Sequence, residues 1–376
     1  MASSDAPPPT GRGPSRGLSN DILLIDLPPP VDEAWIAKME ATYPGFKIRW
    51  ANRPWYPQLS AVYTDEDYEG VTMLCTVAPH AAEKIANVHF VQLASAGADK
   101  WMNHPVYLDP SVVFATSNGT HPPQIAEWVI GTWLMMNHHF LPYAAQQAEG
   151  KSHRLLHLPV TDSPGMRMGI LGYGAIGRQC ARLGRALGMD VYAYTRNPKL
   201  TPESRRDDSY CVPGTGDPEG LLPGKWFHGE SRQSIDEFLA QDLDLLVVSL
   251  PLTKASRGVL GRGQFEILSK KKTFVANIAR GEHVDTDALV DALNEGKIRG
   301  AALDVTDPEP LPDGHKLFEA KNVFITPHVS WQTPHYFERV TAIMERNLGA
   351  LARMSLAEGG KDGGGMINVM DRVNHY

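Results

Sequence analysis

The sequence predicts an α/β protein with two units, each a parallel sheet covered by helices on both faces. Short apolar runs of strand length alternate along the chain with segments of helical periodicity. A glycine-rich turn at residues 172–177 joins one apolar run to a helical segment in the second half of the chain. The length of 376 residues also favours two domains.

The first unit is expected to run from residue 21 to about residue 118. Its strand patterns are separated by helical patterns, and strands joined in this way form parallel sheets. Strands are predicted at 21–26, 47–50, 71–76, 88–93 and 112–115, and helices at 31–42, 81–86 and 122–139.

The second unit begins near Met166 and contains the glycine turn. Gly188 stands where a glycine commonly ends a helix. Residues 197–230, rich in proline, glycine and charge, are predicted to form a loop insertion. Strands are predicted at 168–171, 191–194, 243–250, 273–278, 300–305 and 323–326, and helices after the glycine turn, at 285–294 and at 334–354.

Composition argues against several classes of partner. The formal charge is −7 and no basic face stands out, so nucleic acid is not expected. The three cysteines lack metal-ligand spacing, so no metal site is predicted, and nothing requires an oxidising compartment. No apolar run reaches membrane-spanning length. We therefore expect a cytoplasmic protein with a disordered tail at residues 1–20, although Arg12 and Arg16 leave organelle targeting open.

The glycine turn has the G-x-G-x-x-G spacing of a dinucleotide-binding loop, with a strand before it and a helix after it. Gly172 permits a sharp turn, Gly174 lets backbone approach a pyrophosphate at the helix N-terminus, and Gly177 permits close helix–strand packing. A purely structural turn and a methyltransferase-type nucleotide loop are the alternatives. The candidate cofactor-binding residues of this loop are Gly172, Tyr173, Gly174, Ala175, Ile176 and Gly177.

The end of the next predicted strand bears on the choice of cofactor. In an NAD site an acidic side chain there binds the ribose 2′-hydroxyl, but Asp190 precedes the predicted strand. Thr195 and Arg196 follow the strand, and a hydroxyl beside a cation suits a 2′-phosphate. The sequence therefore favours NADP(H). NAD(H) stays possible, because Arg196 could instead cover the adenine.

Three polar residues follow predicted strands in the second unit, namely Arg280, Glu309 and His328. The carboxyl ends of strands in an open α/β sheet form its ligand-binding edge. An arginine offers a planar fork to a 2-oxo acid, and a histidine can donate a proton when the carbonyl takes up a hydride. A glutamate beside the histidine favours the charged ring. Each residue alone has a simpler explanation, as a turn cation, a loop carboxylate or a core histidine.

From residue 21 onward the chain resembles the D-isomer-specific 2-hydroxyacid dehydrogenases, most strongly over 166–331. The resemblance implies two Rossmann-like domains, a flavodoxin-like substrate domain and a doubly wound cofactor domain, with a cleft between them. The substrate domain would comprise residues 21–140 and 331–376, and the dinucleotide-binding domain residues 141–330. The motifs that carry the resemblance are 172–177, 249–253, 277–281, Asp304 with Glu309 and Pro310, and 326–328.

The resemblance also implies roles for individual residues and a homodimer built mainly through the cofactor domain. Arg280 would bind the substrate, Glu309 would tune the acid, and His328 would donate the proton. Asp304 would bond the nicotinamide carboxamide. Further cofactor contacts are implied for Leu250, Pro251, Thr253, Ile278, Ala279, Arg280 and His328. Substrate contacts are implied for Ser95, Ala96 and Gly97, through backbone N–H groups, and for Trp55, Arg280, His328 and Trp331.

Within this family the chain is most similar to glyoxylate/hydroxypyruvate reductases. The expected reaction is hydride transfer between NAD(P)H and the carbonyl of a small 2-oxo acid, giving a D-2-hydroxy acid. Trp55 is expected to close over the substrate, the alternative being an exposed Pro-rich turn. Trp331 would narrow the pocket. A non-catalytic, dinucleotide-sensing scaffold similar to related corepressors is the alternative function, and Glu309 argues against a formate dehydrogenase.

Overall fold

The computed structural model describes residues 16–28, 30–51, 63–354 and 365–372. The chain divides into two compact units, residues 1–118 with 337–376 and residues 119–336, which are called the first unit and the second unit. Their assignment as a substrate domain and a cofactor domain stays a prediction.

The regular elements of the described residues are as follows. The strands are β1 (Ile22–Asp26), β2 (Lys47–Trp50), β3 (Met73–Thr76), β4 (Phe90–Leu93), β5 (Val113–Ala115), β6 (Arg167–Leu171), β7 (Asp190–Thr195), β8 (Lys225–His228), β9 (Leu245–Val248), β10 (Phe274–Asn277), β11 (Gly300–Leu303) and β12 (Val323–Ile325). The helices are α1 (Glu33–Thr42), α2 (Pro105–Leu108), α3 (Pro122–Asn137), α4 (Phe140–Ala148), α5 (Ala175–Ala186), α6 (Pro202–Arg205), α7 (Arg232–Leu239), α8 (Arg262–Ser269), α9 (Thr286–Asn294) and α10 (Tyr336–Met354).

The first unit contains a five-stranded sheet in the order β2-β1-β3-β4-β5, and every neighbouring pair is parallel. Strands β3 and β4 are buried along their whole length, as their mostly apolar sequences require. The end of the chain joins this unit. Asn347 of α10 donates to Gln92 Oε1 at 2.9 Å, and the Met370 N–H donates to the Phe114 carbonyl at 2.8 Å.

The second unit contains a seven-stranded sheet in the order β12-β11-β10-β9-β6-β7-β8, again with only parallel pairs. Buried side chains of α3 and α5 form a core on one face, and those of α7, α8 and α9 form a core on the other. The predicted class of two parallel-sheet α/β domains is confirmed. Because the strands are parallel, the loops after β6, β9, β10, β11 and β12 leave from one edge of the sheet.

Several predictions of secondary structure are wrong. Residues 81–86 form turns instead of a helix, with bonds such as that from the Lys84 N–H to the Ala81 carbonyl at 3.0 Å. The predicted loop 197–230 contains α6 and strand β8. The four residues of β8 are flanked by Pro223 and Gly224 on one side and Gly229 on the other, which is a pattern typical of a loop. They form a strand because they pair with β7. Helices α2, α4, α7 and α8 are also absent from the predicted elements.

Residues 1–15 of the predicted tail, which was expected to span residues 1–20, lie outside the described residues. Its end, Arg16–Leu18, forms a helical turn in which Leu18 is fully buried. The Leu18 carbonyl accepts the Asp21 N–H at 3.0 Å, which joins this turn to the start of β1. In the part of the chain that the structure describes, no helix combines the length and apolarity needed to cross a membrane.

Candidate active site

The glycine turn joins β6 to α5, as predicted. Gly172 has a φ of +108°, and a Cβ there would lie 2.6 Å from the Ser249 carbonyl oxygen, so the turn requires glycine. A Cβ at Gly177 would lie 2.5 Å from the Gly172 carbonyl oxygen and 2.8 Å from the Ile170 side chain. These two glycines therefore allow α5 to start directly against the sheet.

Gly174 forms the N-cap of α5 and is exposed, and no side chain caps this helix end. Apart from neighbouring backbone, no described heavy atom lies within 4 Å of where a Cβ on Gly174 would be. The first N–H groups of a helix lack partners inside the helix and lie at the positive end of its dipole. This open cradle fits the pyrophosphate of a dinucleotide, which Gly174, Ala175 and Ile176 would hold.

Tyr173 buries its side chain in the core of the second unit. Its hydroxyl donates to Asp217 at 2.7 Å, and its ring lies 5.0 Å from both the Trp226 ring and the Arg178 guanidinium. Burial, followed by the charge of Asp217, raises the pKa of Tyr173. Its backbone N–H donates to the Tyr194 carbonyl at 3.1 Å. Tyr173 thus supports the turn, and its contact with a cofactor stays a prediction.

The carboxyl end of β7 is the edge where a ribose would lie. Thr195 ends the strand, and its hydroxyl donates to the Asn197 carbonyl at 2.8 Å. The exposed Arg196 forms an ion pair with Glu230, a residue absent from the predicted site. Asp190 was predicted to precede this strand and is in fact its first residue. It therefore lies at the opposite end of β7 from Thr195 and Arg196.

The loop after β9 contains the predicted cofactor residues Leu250, Pro251 and Thr253. The Thr253 N–H donates to Ser256 Oγ at 2.8 Å, and the Ser256 N–H donates to Thr253 Oγ1 at 3.2 Å. Ser256 Oγ also donates to the Pro251 carbonyl at 2.8 Å. These bonds fix the loop backbone, whereas Pro251 itself stays exposed.

The loop after β10 carries Arg280 and is held by two buried side chains. Asn277 Nδ2 donates to the Arg280 carbonyl at 2.9 Å, and the Ala279 N–H donates to Asn277 Oδ1 at 3.1 Å. His283 accepts the Arg280 N–H at Nδ1 over 3.2 Å, and its Nε2 lies 3.3 Å from the Pro251 carbonyl. His283 Nδ1 also lies 3.0 Å from the Arg280 carbonyl, so the ring contacts both polar groups of the Arg280 backbone. Burial lowers the pKa of His283, which favours the neutral ring.

Gly281 brings the Arg280 loop against the loop that follows β11. A Cβ on Gly281 would lie 2.0 Å from the backbone carbonyl of Thr306, so this contact admits only glycine. The preceding residues Ile278 and Ala279 are 7% and 6% exposed. Little of their surface is available to a cofactor, and their predicted contacts with it stay predictions.

Glu309 and His328 lie side by side, although they follow different strands. His328 Nδ1 is 2.6 Å from Glu309 Oε1, and the two side chains are 40% and 39% exposed. A histidine whose Nδ1 is bonded to a carboxylate keeps Nε2 for a second partner. The structure therefore brings together two of the three predicted catalytic residues in an accessible position.

The pKa of Glu309 lies below its ordinary value. Partial burial is the largest single influence and raises it, but the hydrogen bond and charge of His328, the Thr306 N–H and the charge of Arg280 together outweigh burial. Glu309 therefore stays ionised at neutral pH and is available as an acceptor for His328 Nδ1. Arg280, the third predicted catalytic residue, is therefore close enough for its charge to lower the pKa of Glu309.

Asp304 is 1% exposed, and its carboxylate is surrounded by donors from the segment 326–330. Oδ1 accepts from Thr326 Oγ1 at 2.6 Å and from the Val329 N–H at 2.9 Å. Oδ2 accepts from the Ser330 N–H at 3.1 Å and from the Ser330 hydroxyl. A carboxylate has about four acceptor positions, and these bonds use them. The predicted bond from Asp304 to a nicotinamide stays a prediction and would compete with this network.

His328 has a backbone φ of +54°, in the left-handed region that few residues other than glycine adopt. Its N–H donates to the Asp304 carbonyl at 2.8 Å, and its own carbonyl accepts the indole N–H of Trp331 at 2.8 Å. The Trp331 ring packs edge-on against Tyr336 and His121, at centroid distances of 5.6 and 6.2 Å. Trp331 therefore supports the His328 backbone, and its contact with substrate stays a prediction.

The predicted substrate loop follows β4 in the first unit. The Ser95 hydroxyl donates to the Gly97 carbonyl at 2.6 Å, and the Ser95 carbonyl accepts the Ser117 N–H at 2.9 Å. Ala96 is exposed at the tip of this tight loop. Trp55, the other predicted substrate residue of this unit, lies outside the described residues.

Two residues of the site were missed from the sequence. His283 follows Arg280 by three residues, and this spacing is its only sequence signal. Glu230 stands between Gly229 and Ser231, and Ser231 caps α7 by accepting the Ser234 N–H. That capping pattern marks the start of α7 and gives no signal for Glu230 itself. Within the described ranges, no group of three or more His, Cys, Asp or Glu side chains could hold a metal ion.

Comparison with known proteins gives an independent line of evidence. The family model of the D-isomer specific 2-hydroxyacid dehydrogenase NAD-binding domain matches residues 130–212 and 224–330. A glyoxylate reductase of Aeropyrum pernix is 34% identical over 189 residues, which cover 50% of this chain and 49% of that protein. A hydroxypyruvate reductase of Blautia hydrogenotrophica is 28% identical over 275 residues, or 71% of this chain and 76% of that protein.

A solved structure agrees with these matches. The D-isomer specific 2-hydroxyacid dehydrogenase from Xanthobacter autotrophicus Py2, crystallised with NADPH and MES, is 25% identical and has a TM-score of 0.71. The alignment covers 95% of this chain and 100% of that one. Since the family model covers half of the chain and includes the glycine turn, Arg280, Glu309 and His328, this protein belongs to the D-isomer-specific 2-hydroxyacid dehydrogenase family.

Proposed function

We propose that this protein reduces small 2-oxo acids to D-2-hydroxy acids with NAD(P)H, with glyoxylate and hydroxypyruvate as the first candidate substrates. The observation that carries the proposal is the 2.6 Å contact between Glu309 and His328, beside the charge of Arg280. This pair lies in the same unit as the open cradle at Gly174. Relatives named glyoxylate reductase and hydroxypyruvate reductase support the choice of acids.

Each of the three side chains has a separate task. Arg280 presents its guanidinium to the carboxylate and carbonyl oxygen of the acid and so orients it. His328 donates a proton from Nε2 to the carbonyl oxygen, and accepts it in the reverse direction. Glu309 holds the ring through Nδ1 and so fixes the orientation of Nε2. The dinucleotide, when bound, supplies the hydride to the carbonyl carbon.

We propose NADP(H) as the favoured cofactor and NAD(H) as a second one. The turn at residues 172–177 would hold the pyrophosphate at the start of α5. Arg196, exposed at the end of β7, would hold the 2′-phosphate, because a guanidinium matches phosphate geometry. The relative from Xanthobacter autotrophicus, which was crystallised with NADPH, supports this choice.

Steady-state assays with glyoxylate, hydroxypyruvate and longer 2-oxo acids, each with NADPH and with NADH, test the proposal. We expect cofactor oxidation with at least one of these acids. His328→Ala should lower kcat by about a hundredfold or more and leave NADPH binding within about threefold. If the protein binds NADPH and reduces no 2-oxo acid, it is a dinucleotide-sensing scaffold instead. If His328→Ala lost NADPH binding and turnover to the same extent, the role of His328 would be structural.

We also propose a homodimer formed through the second unit. Helix α4 buries none of its side chains, and Phe140, Leu141 and Tyr143 are 56%, 39% and 42% exposed. Leu156 and Val160, which follow in sequence, are 84% and 52% exposed. Exposed apolar clusters of this kind mark protein interfaces. Light scattering should give the mass of two chains for the wild type and of one chain for Phe140→Asp, and a monomeric wild type would refute the dimer.

We propose a cytoplasmic location. Cys75, Cys180 and Cys211 all carry free thiols, which fits a reducing compartment. Cell fractionation with a tagged full-length chain tests this, and recovery in an organelle fraction would refute it.

A further inference from the structure

Thr195 and His228 are the last paired residues of the parallel strands β7 and β8, and the chain segments that follow them stay in contact. The Gly229 N–H donates to the Thr195 carbonyl at 3.1 Å and to the Arg196 carbonyl at 3.2 Å. The next residue, Glu230, forms an ion pair with the guanidinium of Arg196. The carboxylate of Glu230, two residues after β8, therefore lies at the same edge as Arg196, the residue that directly follows β7. This edge selects between NAD and NADP in this fold.

The backbone at this position is tightly packed, whereas the two side chains are about half exposed. Gly229 has a φ of +144°, and a Cβ there would lie 2.4 Å from Ser234 Oγ, so the turn before Glu230 is tightly packed. The side chains of Arg196 and Glu230 are 45% and 58% exposed. Ion pairs with this exposure contribute little to stability, so a bound phosphate can compete with Glu230 for Arg196 at small cost.

We propose that Glu230 is a specificity-determining residue for the cofactor. It competes with a 2′-phosphate for Arg196 and places a negative charge beside that phosphate. A 2′-hydroxyl brings no such repulsion and suits a carboxylate acceptor. Glu230 therefore limits the preference of Arg196 for NADP(H) and allows NAD(H) to be used as well. This inference rests on the proposed dinucleotide binding.

The removal of one negative charge next to a phosphate has an effect of predictable size. For charges several ångströms apart in water-like surroundings, we expect Glu230→Gln to tighten binding of 2′-phosphorylated nucleotides about five- to tenfold. Nucleotides with a free 2′-hydroxyl should gain nothing or bind slightly more weakly. The gain should shrink at about 0.5 M salt, because exposed charges are screened.

The chain offers a matched control. Arg206 and Glu219 form a second exposed ion pair in the same unit, with an N–O distance of 3.1 Å and side chains that are both 54% exposed. Glu219→Gln makes the same change in net charge away from the end of β7. An effect common to both variants would reflect net charge, and an effect confined to Glu230→Gln would reflect its position.

The test is calorimetric titration of the full-length chain with adenosine 2′,5′-bisphosphate, AMP, NADP+ and NAD+. We expect Glu230→Gln to tighten binding of only the 2′-phosphorylated ligands and Arg196→Gln to weaken it. The double variant should bind these ligands more tightly than Arg196→Gln does, because the repulsion by Glu230 is gone. The inference would be wrong if Glu230→Gln changed binding as Glu219→Gln does, or if it changed the affinity for both classes of ligand equally. Either result would leave the proposed function intact. If the wild type binds neither NADP+ nor NAD+, the proposed function fails and the inference fails with it.

Discussion

Replacing Asp304 by asparagine keeps the shape of a side chain that is 1% exposed and removes its charge. The carboxylate accepts bonds from the Thr326 hydroxyl, the Val329 N–H, and both the N–H and the hydroxyl of Ser330. An amide offers one acceptor oxygen and one donor group in place of two acceptors. The single amide oxygen of asparagine can therefore accept bonds at the position of Oδ1 or of Oδ2, but not at both. The NH₂ group then faces the donors at the other position.

The size of the effect follows from the donors that lose their acceptor. If the amide oxygen keeps the position of Oδ1, the Ser330 hydroxyl can rotate to accept a bond from the NH₂ group. The Ser330 N–H then keeps only its longer contact with Oδ1, at 3.2 Å, and faces the NH₂ group at its second contact. Bonds to a charged acceptor contribute about 1.5–3 kcal/mol, and a buried donor without a partner costs about 1–3 kcal/mol. We expect the free energy of unfolding to fall by about 2–4 kcal/mol. Because the same segment holds His328 at a φ of +54°, kcat should fall about 10- to 100-fold.

Urea unfolding, NADPH binding and steady-state kinetics on Asp304→Asn and Ser330→Ala provide the assay. Ser330→Ala removes one hydroxyl bond, so it should reduce the free energy of unfolding by only about 1 kcal/mol and affect kcat less. In both variants kcat should change more than the Kd for NADPH. Asp304→Asn with wild-type stability and kcat but much weaker NADPH binding would refute this reasoning and assign the carboxylate to the nicotinamide.

Three further predictions concern the same loops. Glu309→Gln replaces the carboxylate that bonds His328 Nδ1 by a neutral amide, so kcat for reduction should fall about a hundredfold while the Kd for NADPH changes little; an equal loss of both would contradict this role. Gly281→Ala places a Cβ 2.0 Å from backbone and should cost on the order of 3 kcal/mol in thermal or urea unfolding. Gly263→Ala in α8, with no described atom within 4 Å of the new Cβ, should be neutral or stabilising by about 0.5 kcal/mol, and equal effects would refute the packing argument. Burial lowers the pKa of His283 below 6.5, so below that pH the unfolded chain binds more protons at this residue than the folded protein does. The free energy of unfolding should fall as the pH drops through about 6.5, and His283→Gln should flatten this dependence in urea titrations; an unchanged slope would mean that His283 does not contribute.

The glycine turn was predictable because its causes lie within a few residues of one another. A strand, three spaced glycines and an amphipathic helix are visible in a single window of sequence, and the structure has β6, the turn and α5 in that order. The ends of β10, β11 and β12 were predictable for the same reason, since apolar runs ended by polar residues mark them locally. The proximity of Glu309 and His328 followed from one further rule, that neighbouring parallel strands end at a common edge.

The contacts between loops were not predictable, because they join residues far apart in the chain. Glu230 reaches Arg196 only because β8 pairs with β7, and β8 has too few residues to be recognised without that pairing. His283 supports Arg280 through burial, which depends on the packing of other segments. The indole N–H of Trp331 donates to the His328 carbonyl, a bond that the sequence does not reveal, and the predicted contact of Trp331 with substrate stays a prediction.

The sequence alone determined the parallel α/β architecture, the location of the glycine turn and the residue types at each strand end, because hydrophobic periodicity and turn chemistry act over short distances along the chain. Tertiary structure decided which of those residues meet, how the Asp304 carboxylate is satisfied, and which charge pairs with Arg196. Hydrogen bonds and ion pairs require atoms within a few ångströms, and only the packing of strands and loops brings such atoms together.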